Sequence, residues 1–166
     1  MAEKTLTDLF EDTLKDIYFA ERKILTALPK MAKAAQSPEL KAAFEKHRTQ
    51  TEGQVQRLEQ VFEIIGQKPK GKTCPAIEGI LEEGTEMMKE YADSPAIDAA
   101  LISAAQAVEH YEITRYGTMK RWAETLGLEA AAELLDETLQ EEGQTDEDLT
   151  ALADNDANEV ANRAAA

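Results

Sequence analysis

Three glutamates, Glu21, Glu112 and Glu142, stand where a helical repeat of about 3.6 residues asks for apolar side chains, and a fourth, Glu109, lies about 60° to one side of such a stripe. His47, Gln50, Gln54 and Asp146 fall on or beside stripes of the same kind. Carboxylates and carboxamides with one imidazole make an oxygen-rich donor set. Such a set suits iron, manganese or magnesium better than a metal that prefers thiolates. Burying several ionised carboxylates together is prohibitive unless protons, arginines or a cation compensate, because each unpaired ion is costly and like charges add to the cost. Of the three, a cation is the most economical, and iron or manganese is the expected cofactor.

Each of these residues has a plainer reading. A single glutamate on an apolar stripe more often sits at a bundle edge with its head in water. His47 alone reads equally well as a hydrogen-bonded core histidine. His110 points to the opposite side of its helix, toward solvent or a covering helix. Tyr111, Tyr116 and Trp122 read as packing residues with polar tips. Cys74 has no sequence neighbour to activate it. Coincidence of level favours the metal reading, because each long helix carries its misplaced polar group near its own midpoint.

The elements that must position these residues are marked by capping signals. Thr5 with Asp8 opens a helix over about 5–33, and Pro29 within it predicts a kink near Leu28. Ser37 followed by Pro38 opens a second over about 38–65. A loop precedes a shorter helix over about 75–91, and Ser94–Pro95 opens the next, over about 95–125, which Gly127 stops. The last long helix spans about 128–153. Turning each by about 100° per residue gives four stripes. The first runs Leu6, Phe10, Leu14, Ile17, Glu21, Ile24, Leu25, Leu28, Ala32, and the second Leu40, Phe44, His47, Thr51, Gln54, Leu58, Val61, Phe62, Ile65. The third runs Ile97, Leu101, Ala105, Val108, Glu112, Met119, Ala123, and the fourth Ala131, Leu135, Thr138, Glu142, Leu149, Ala153. No stretch alternates with the period of a strand. The expected architecture is all-α: a four-helix bundle made of two hairpins, with the short helix in the crossover between helices 2 and 3. A single domain over residues 1–156 is expected, with 157–166 a frayed C-terminal tail.

Bulk properties narrow the function. The net charge of −15, spread along the chain, argues against nucleic acid and anionic membranes as partners. One cysteine permits no internal disulfide, and no apolar run approaches the length of about 20 residues that spans a bilayer. The N-terminus carries no leader-like pattern. A cytoplasmic protein is expected.

The segments "DLFEDTLKDIYFAERKI", "KTCPAIEGILEE", "QAVEHYEITRYGT" and "LLDETLQEEGQTDEDLTALA" together resemble the YciE/YciF family of bacterial stress-associated proteins over nearly the whole chain. The resemblance implies a ferritin-like, rubrerythrin-related bundle, dimeric association and a two-metal site, with no defined catalytic activity. Ferritin-like metal proteins take one glutamate from each of two helices and a Glu-x-x-His from each of the other two. Glu21, Glu109 or Glu112, and Glu142 match glutamate positions. Thr145 stands where a histidine follows Glu142, Gln50 stands at the second-helix glutamate position, and Gln54 stands near its histidine. Both Glu-x-x-His motifs are therefore broken, which weakens binding or favours one metal over two, with His47 as a substitute ligand. The alternative is a structural or interaction bundle that has lost metal chemistry. Nothing in the sequence identifies the contacts of an iron-storage shell.

Overall fold

A computed structural model describes residues 3–163. Five helices build the body: α1 (Leu6–Ala34), α2 (Pro38–Ile64), α3 (Pro75–Glu90), α4 (Ile97–Thr125) and α5 (Glu129–Leu152). A π-helical turn at Ala153–Ala157 carries the chain into a short α6 (Asn158–Arg163). The segment assigned by sequence to a tail is thus helical as far as Arg163, and Ala157 is buried. Residues 164–166 lie outside the described part.

The hairpins α1–α2 and α4–α5 face each other, with α1 against α4 and α2 against α5. This closes a four-helix ring, and α3 in the crossover lies over α1 and α4. The fold is the ferritin-like four-helix bundle that periodicity and resemblance called for.

Local signals explain most helix ends. A capping box starts α1: Thr5 Oγ1 accepts from the Asp8 amide at 3.3 Å, and Asp8 Oδ2 accepts from the Thr5 amide at 2.8 Å. Ser37 caps α2 with Pro38 in its first turn. Gly66 and Gly127 follow α2 and α4 with φ of 68° and 72°, where a side chain would be strained. Each lets the chain turn back so that the next amide reaches a carbonyl of the last helical turn, Gln67 to Phe62 at 2.8 Å and Leu128 to Ala123 at 2.9 Å. Pro29 leaves α1 unbroken, with its ring exposed.

The start of α4 differs from the sequence reading. Ser94 and Pro95 lie in a turn, and the helix begins at Ile97. Ser94 Oγ accepts from the Ala96 amide at 3.1 Å, holding that turn rather than capping the helix. The first turn of α4 instead delivers Asp98 to the other hairpin, where its carboxylate accepts from the Gln36 and Ser37 amides at 2.7 and 2.8 Å. This joins the α1–α2 connection to the base of α4. Asp98→Ala is expected to destabilise the fold by about 1–3 kcal/mol in urea titration, since two partly buried hydrogen bonds lose their charged acceptor. Metal content, set at the bundle midpoint, should not change.

The core follows the stripes. Phe10, Leu14, Ile17, Ile24 and Leu28 of α1 are buried against Leu40, Phe44, Leu58, Val61 and Phe62 of α2. Leu101, Ala105, Met119 and Ala123 of α4 meet Ala131, Leu135 and Leu149 of α5. Leu6, Leu25, Ala32, Ile65 and Ala153 are only half-buried at the helix ends and edges. Burial of each large side chain contributes about 1.5–3 kcal/mol. Apolar layers therefore seal both ends of the bundle and leave a polar layer between them.

Candidate metal centre

Each helix lifts its polar group into that layer by the 3–4 spacing that also buries the neighbours. Glu21 follows Ile17 and precedes Ile24, His47 lies between Phe44 and Thr51, Glu112 between Val108 and Tyr116, and Glu142 one turn after Thr138. Glu21, Glu112 and Glu142 have no exposed surface, and Glu109 and His47 almost none. His47, Glu109, Glu112 and Glu142 each offer a donor atom, and the four atoms lie within 4.8 Å of one another. His47 Nε2 stands 3.3 Å from Glu109 Oε1.

Glu21 lies alongside this group. Tyr116, fully buried, donates its hydroxyl hydrogen bond to Glu21 Oε1, and the Glu21 carboxyl adjoins that of Glu112. Gln54 donates to Glu142 Oε1 and, at 3.1 Å, to Glu141 Oε2. Arg57 holds the outer side of this arrangement through Glu141, Glu137 at 2.8 Å and Thr138 at 2.9 Å. Gln50 turns a buried, unpartnered carbonyl oxygen into the interior. Asp146 is not brought into the cluster. It is partly exposed, accepts from Gln106 at 3.2 Å and faces His110 Nε2 at 3.2 Å. His110 is exposed, as its side of the helix predicted, and its neighbour is α5 rather than α3. Thr145, at the missing histidine position, bonds its hydroxyl to the Glu141 carbonyl of its own helix.

The electrostatics are those of charge removed from water. Burial raises the Glu21 carboxyl to about 8, with the Glu142 charge adding to the effect. Glu109 and Glu112 rise well above the ordinary carboxylate range, first by burial and then by their neighbours' charge. Burial also raises Glu142, with the Glu141 charge adding to it and Glu109, Gln54 and Arg57 acting against it. Burial lowers His47 to about 4, so its ring is neutral near pH 7 and keeps a lone pair for a ligand. Protons can neutralise the carboxyls and bridge adjoining pairs, Glu21 with Glu112 and Glu109 with Glu142, but the ionised site is left unsatisfied. Glu21 Oε2, Glu109 Oε2, both oxygens of Glu112, Glu142 Oε2 and both His47 nitrogens are buried without a hydrogen-bond partner. Leaving one such atom unpaired costs about 1–3 kcal/mol. Three carboxylates and a neutral imidazole within reach of one point fit iron or manganese.

Three contacts were not legible beforehand: Asp98 on the α1–α2 connection, Arg57 across Glu137 and Glu141, and Cys74 Sγ 3.0 Å from the Tyr111 hydroxyl. The last gives Cys74 a partner that its sequence neighbourhood did not show. Among the described residues, no helix is long and apolar enough to cross a membrane.

Comparison with known proteins agrees with this architecture. Residues 5–162 match the family model described as a domain of unknown function, DUF892. Protein YciF of Escherichia coli strain K12 is 46% identical over 162 residues, covering 97% of this chain and 98% of that protein. The crystal structure of that protein, described as a stress protein, matches with a TM-score of 0.89 over 94% of this chain and 99% of the other. YcfI from Rhodopseudomonas palustris, described as a candidate structural protein, is 45% identical with a TM-score of 0.86 over 89% and 94% of the two chains. A protein from Xanthomonas campestris shares the fold at 20% identity, with a TM-score of 0.75 over 98% of this chain and all of that one. The chain belongs to the DUF892 family and is similar to YciF over nearly all of both sequences.

Proposed function

We propose that this is a stress-associated ferritin-like protein that holds iron or manganese at its midpoint and handles dioxygen or peroxide there. His47, Glu109, Glu112 and Glu142 would bind the ion, with Glu21 as a further carboxylate and Gln50 and Gln54 at the margin. The carrying observation is the set of buried donors without partners. When bound, such a metal supplies one-electron chemistry toward oxygen species. The chain's own part is to place the donors, exclude bulk water and hold protons. Glu21 and Glu112 form a carboxyl pair able to retain a proton, and Tyr116 orients Glu21 by its hydroxyl. Gln54 fixes Glu142 from the neighbouring helix and leaves the opposite oxygen of that carboxyl unpartnered.

Untagged protein loaded anaerobically with ferrous or manganous ion should retain near-stoichiometric metal after desalting. Retention below roughly a tenth of an equivalent would rule the centre out. The second reading, a structural or interaction bundle without metal chemistry, is favoured by Thr145 and Gln50 standing where ferritin-like sites carry ligands, and it matches the description of YcfI. It requires no metal effect on the melting temperature. A cytoplasmic homodimer that binds neither nucleic acid nor membrane completes the proposal, the net charge of −15 opposing phosphate backbones and anionic lipid surfaces. Light scattering of purified protein tests the oligomeric state.

A further inference from the structure

Beside the polar layer lies a cavity of about 30 Å³ between the helices. Ile24, Leu28, Phe44, Val108 and Leu149 are among its apolar walls, and His47, Gln50 and Glu109 border it. Its surface is almost entirely carbon. Between α2 and α5 the Lys46–Asp148 ion pair, at 3.0 Å, stands at its outer end. On the opposite side a wider groove of about 210 Å³ opens between α1, α3 and α4. Ala27, Met31, Leu81 and Val108 line both spaces, so an apolar neck of these side chains stands between the groove and the cavity.

Size and polarity define what this space accepts. A cavity needs roughly 10–15 Å³ per water-sized body, so the inner space takes the length of a diatomic molecule. Water or peroxide in the neck would exchange its hydrogen bonds for contact with carbon. A small apolar molecule loses nothing there, as apolar protein cavities that take up xenon illustrate. We propose that this cavity is a binding site for dioxygen, entered through the α1–α3–α4 groove and opening onto the His47–Glu109 side of the centre. The site's existence depends on the cavity alone. Its purpose rests on the metal reading above, and the two are tested separately.

Crystals of metal-free protein pressurised with xenon should show a xenon atom among Ile24, Phe44, Val108 and Leu149. No xenon there, or an ordered water bonded to His47 in its place, would overturn the proposal. Val108→Thr keeps the shape of the wall but adds a hydroxyl, and should lose xenon occupancy; unchanged occupancy contradicts the apolar selection. Ala27 is half-buried at the neck, where added bulk can lean outward. In iron-loaded protein, Ala27→Phe should slow oxidation by dioxygen by roughly tenfold while leaving metal stoichiometry and oxidation by peroxide unchanged. Equal slowing by both oxidants, or no slowing by either, defeats the proposed route. A wild-type protein that takes up xenon but no metal would sink the metal reading and leave the apolar site supported.

Discussion

Replacing Glu112 by glutamine should abolish the metal-dependent rise in melting temperature and make the metal-free protein more stable. Both oxygens of Glu112 are buried without a partner, and the charges of Glu142, Glu21 and Glu109 all oppose its ionisation. Glutamine keeps the shape and removes the charge. Above neutral pH the metal-free variant should be more stable, because the burial and neighbouring charges that raise the Glu112 carboxyl no longer act on a titrating group. For a domain of this size each kcal/mol gained is about 2–4 °C in melting temperature. The loaded wild type should behave oppositely, because an ion present at a hundredfold excess over its Kd stabilises by about 2.7 kcal/mol. Differential scanning calorimetry with chelator and with manganous ion separates the cases. A variant that keeps the full metal-dependent rise would show that Glu112 is not a ligand.

The metal-free protein should also lose stability as pH rises from 6.5 to 8, and metal should remove that loss. Glu21 titrates near 8 in the folded chain against an ordinary value of 4.5, and Glu109 and Glu112 are also well above it. The folded state thus holds protons that the unfolded chain has released. Their contribution is complete below about pH 4.5 and declines as pH climbs through the folded values. His47 acts in the other direction and lower down: its folded value near 4 against 6.5 means its contribution is complete above 6.5 and is lost on acidification. Above 6.5 only the carboxyls shape the curve. Each one still protonated in the folded state should cost about 2 kcal/mol between pH 6.5 and 8. A bound cation replaces those protons and flattens the profile. Urea titrations in chelator at three pH values measure the slope, with Glu21→Gln expected to reduce it. A flat profile in wild-type chelated protein would contradict the protonated layer.

The fold was readable because local and global signals agree. Thr5–Asp8, Ser37–Pro38 and Gly127 punctuate helices whose stripes are continuous except at one level. That interruption was the legible part of the site: Glu21, His47, Glu109, Glu112 and Glu142 occupy buried positions on or beside stripes that are apolar toward both helix ends. Azimuth alone could not place Asp146. It lies one turn beyond Glu142, and there it faces Gln106 and His110 at the seam of α4 and α5. Helical phase says which side a residue takes, but not how far along the shared axis a partner waits. The same limit hid Arg57, whose long side chain reaches from α2 across to α5. Ser94–Pro95 misled by two residues because the serine serves a turn, while Asp98 has a stronger engagement elsewhere. The apolar cavity was invisible for another reason: it consists of what side chains leave unfilled, and no residue type announces a gap.

The Asp98 carboxylate meets amides 61 and 62 positions earlier in the chain. Neither half-bundle is therefore finished by itself. The turn of the first hairpin depends on an anion contributed by the second, and the second reaches its place only after the crossover has been traversed. Completion of the earlier-synthesised half waits on the later one, which ties the two into a single cooperative transition instead of two hairpins that form independently and then associate.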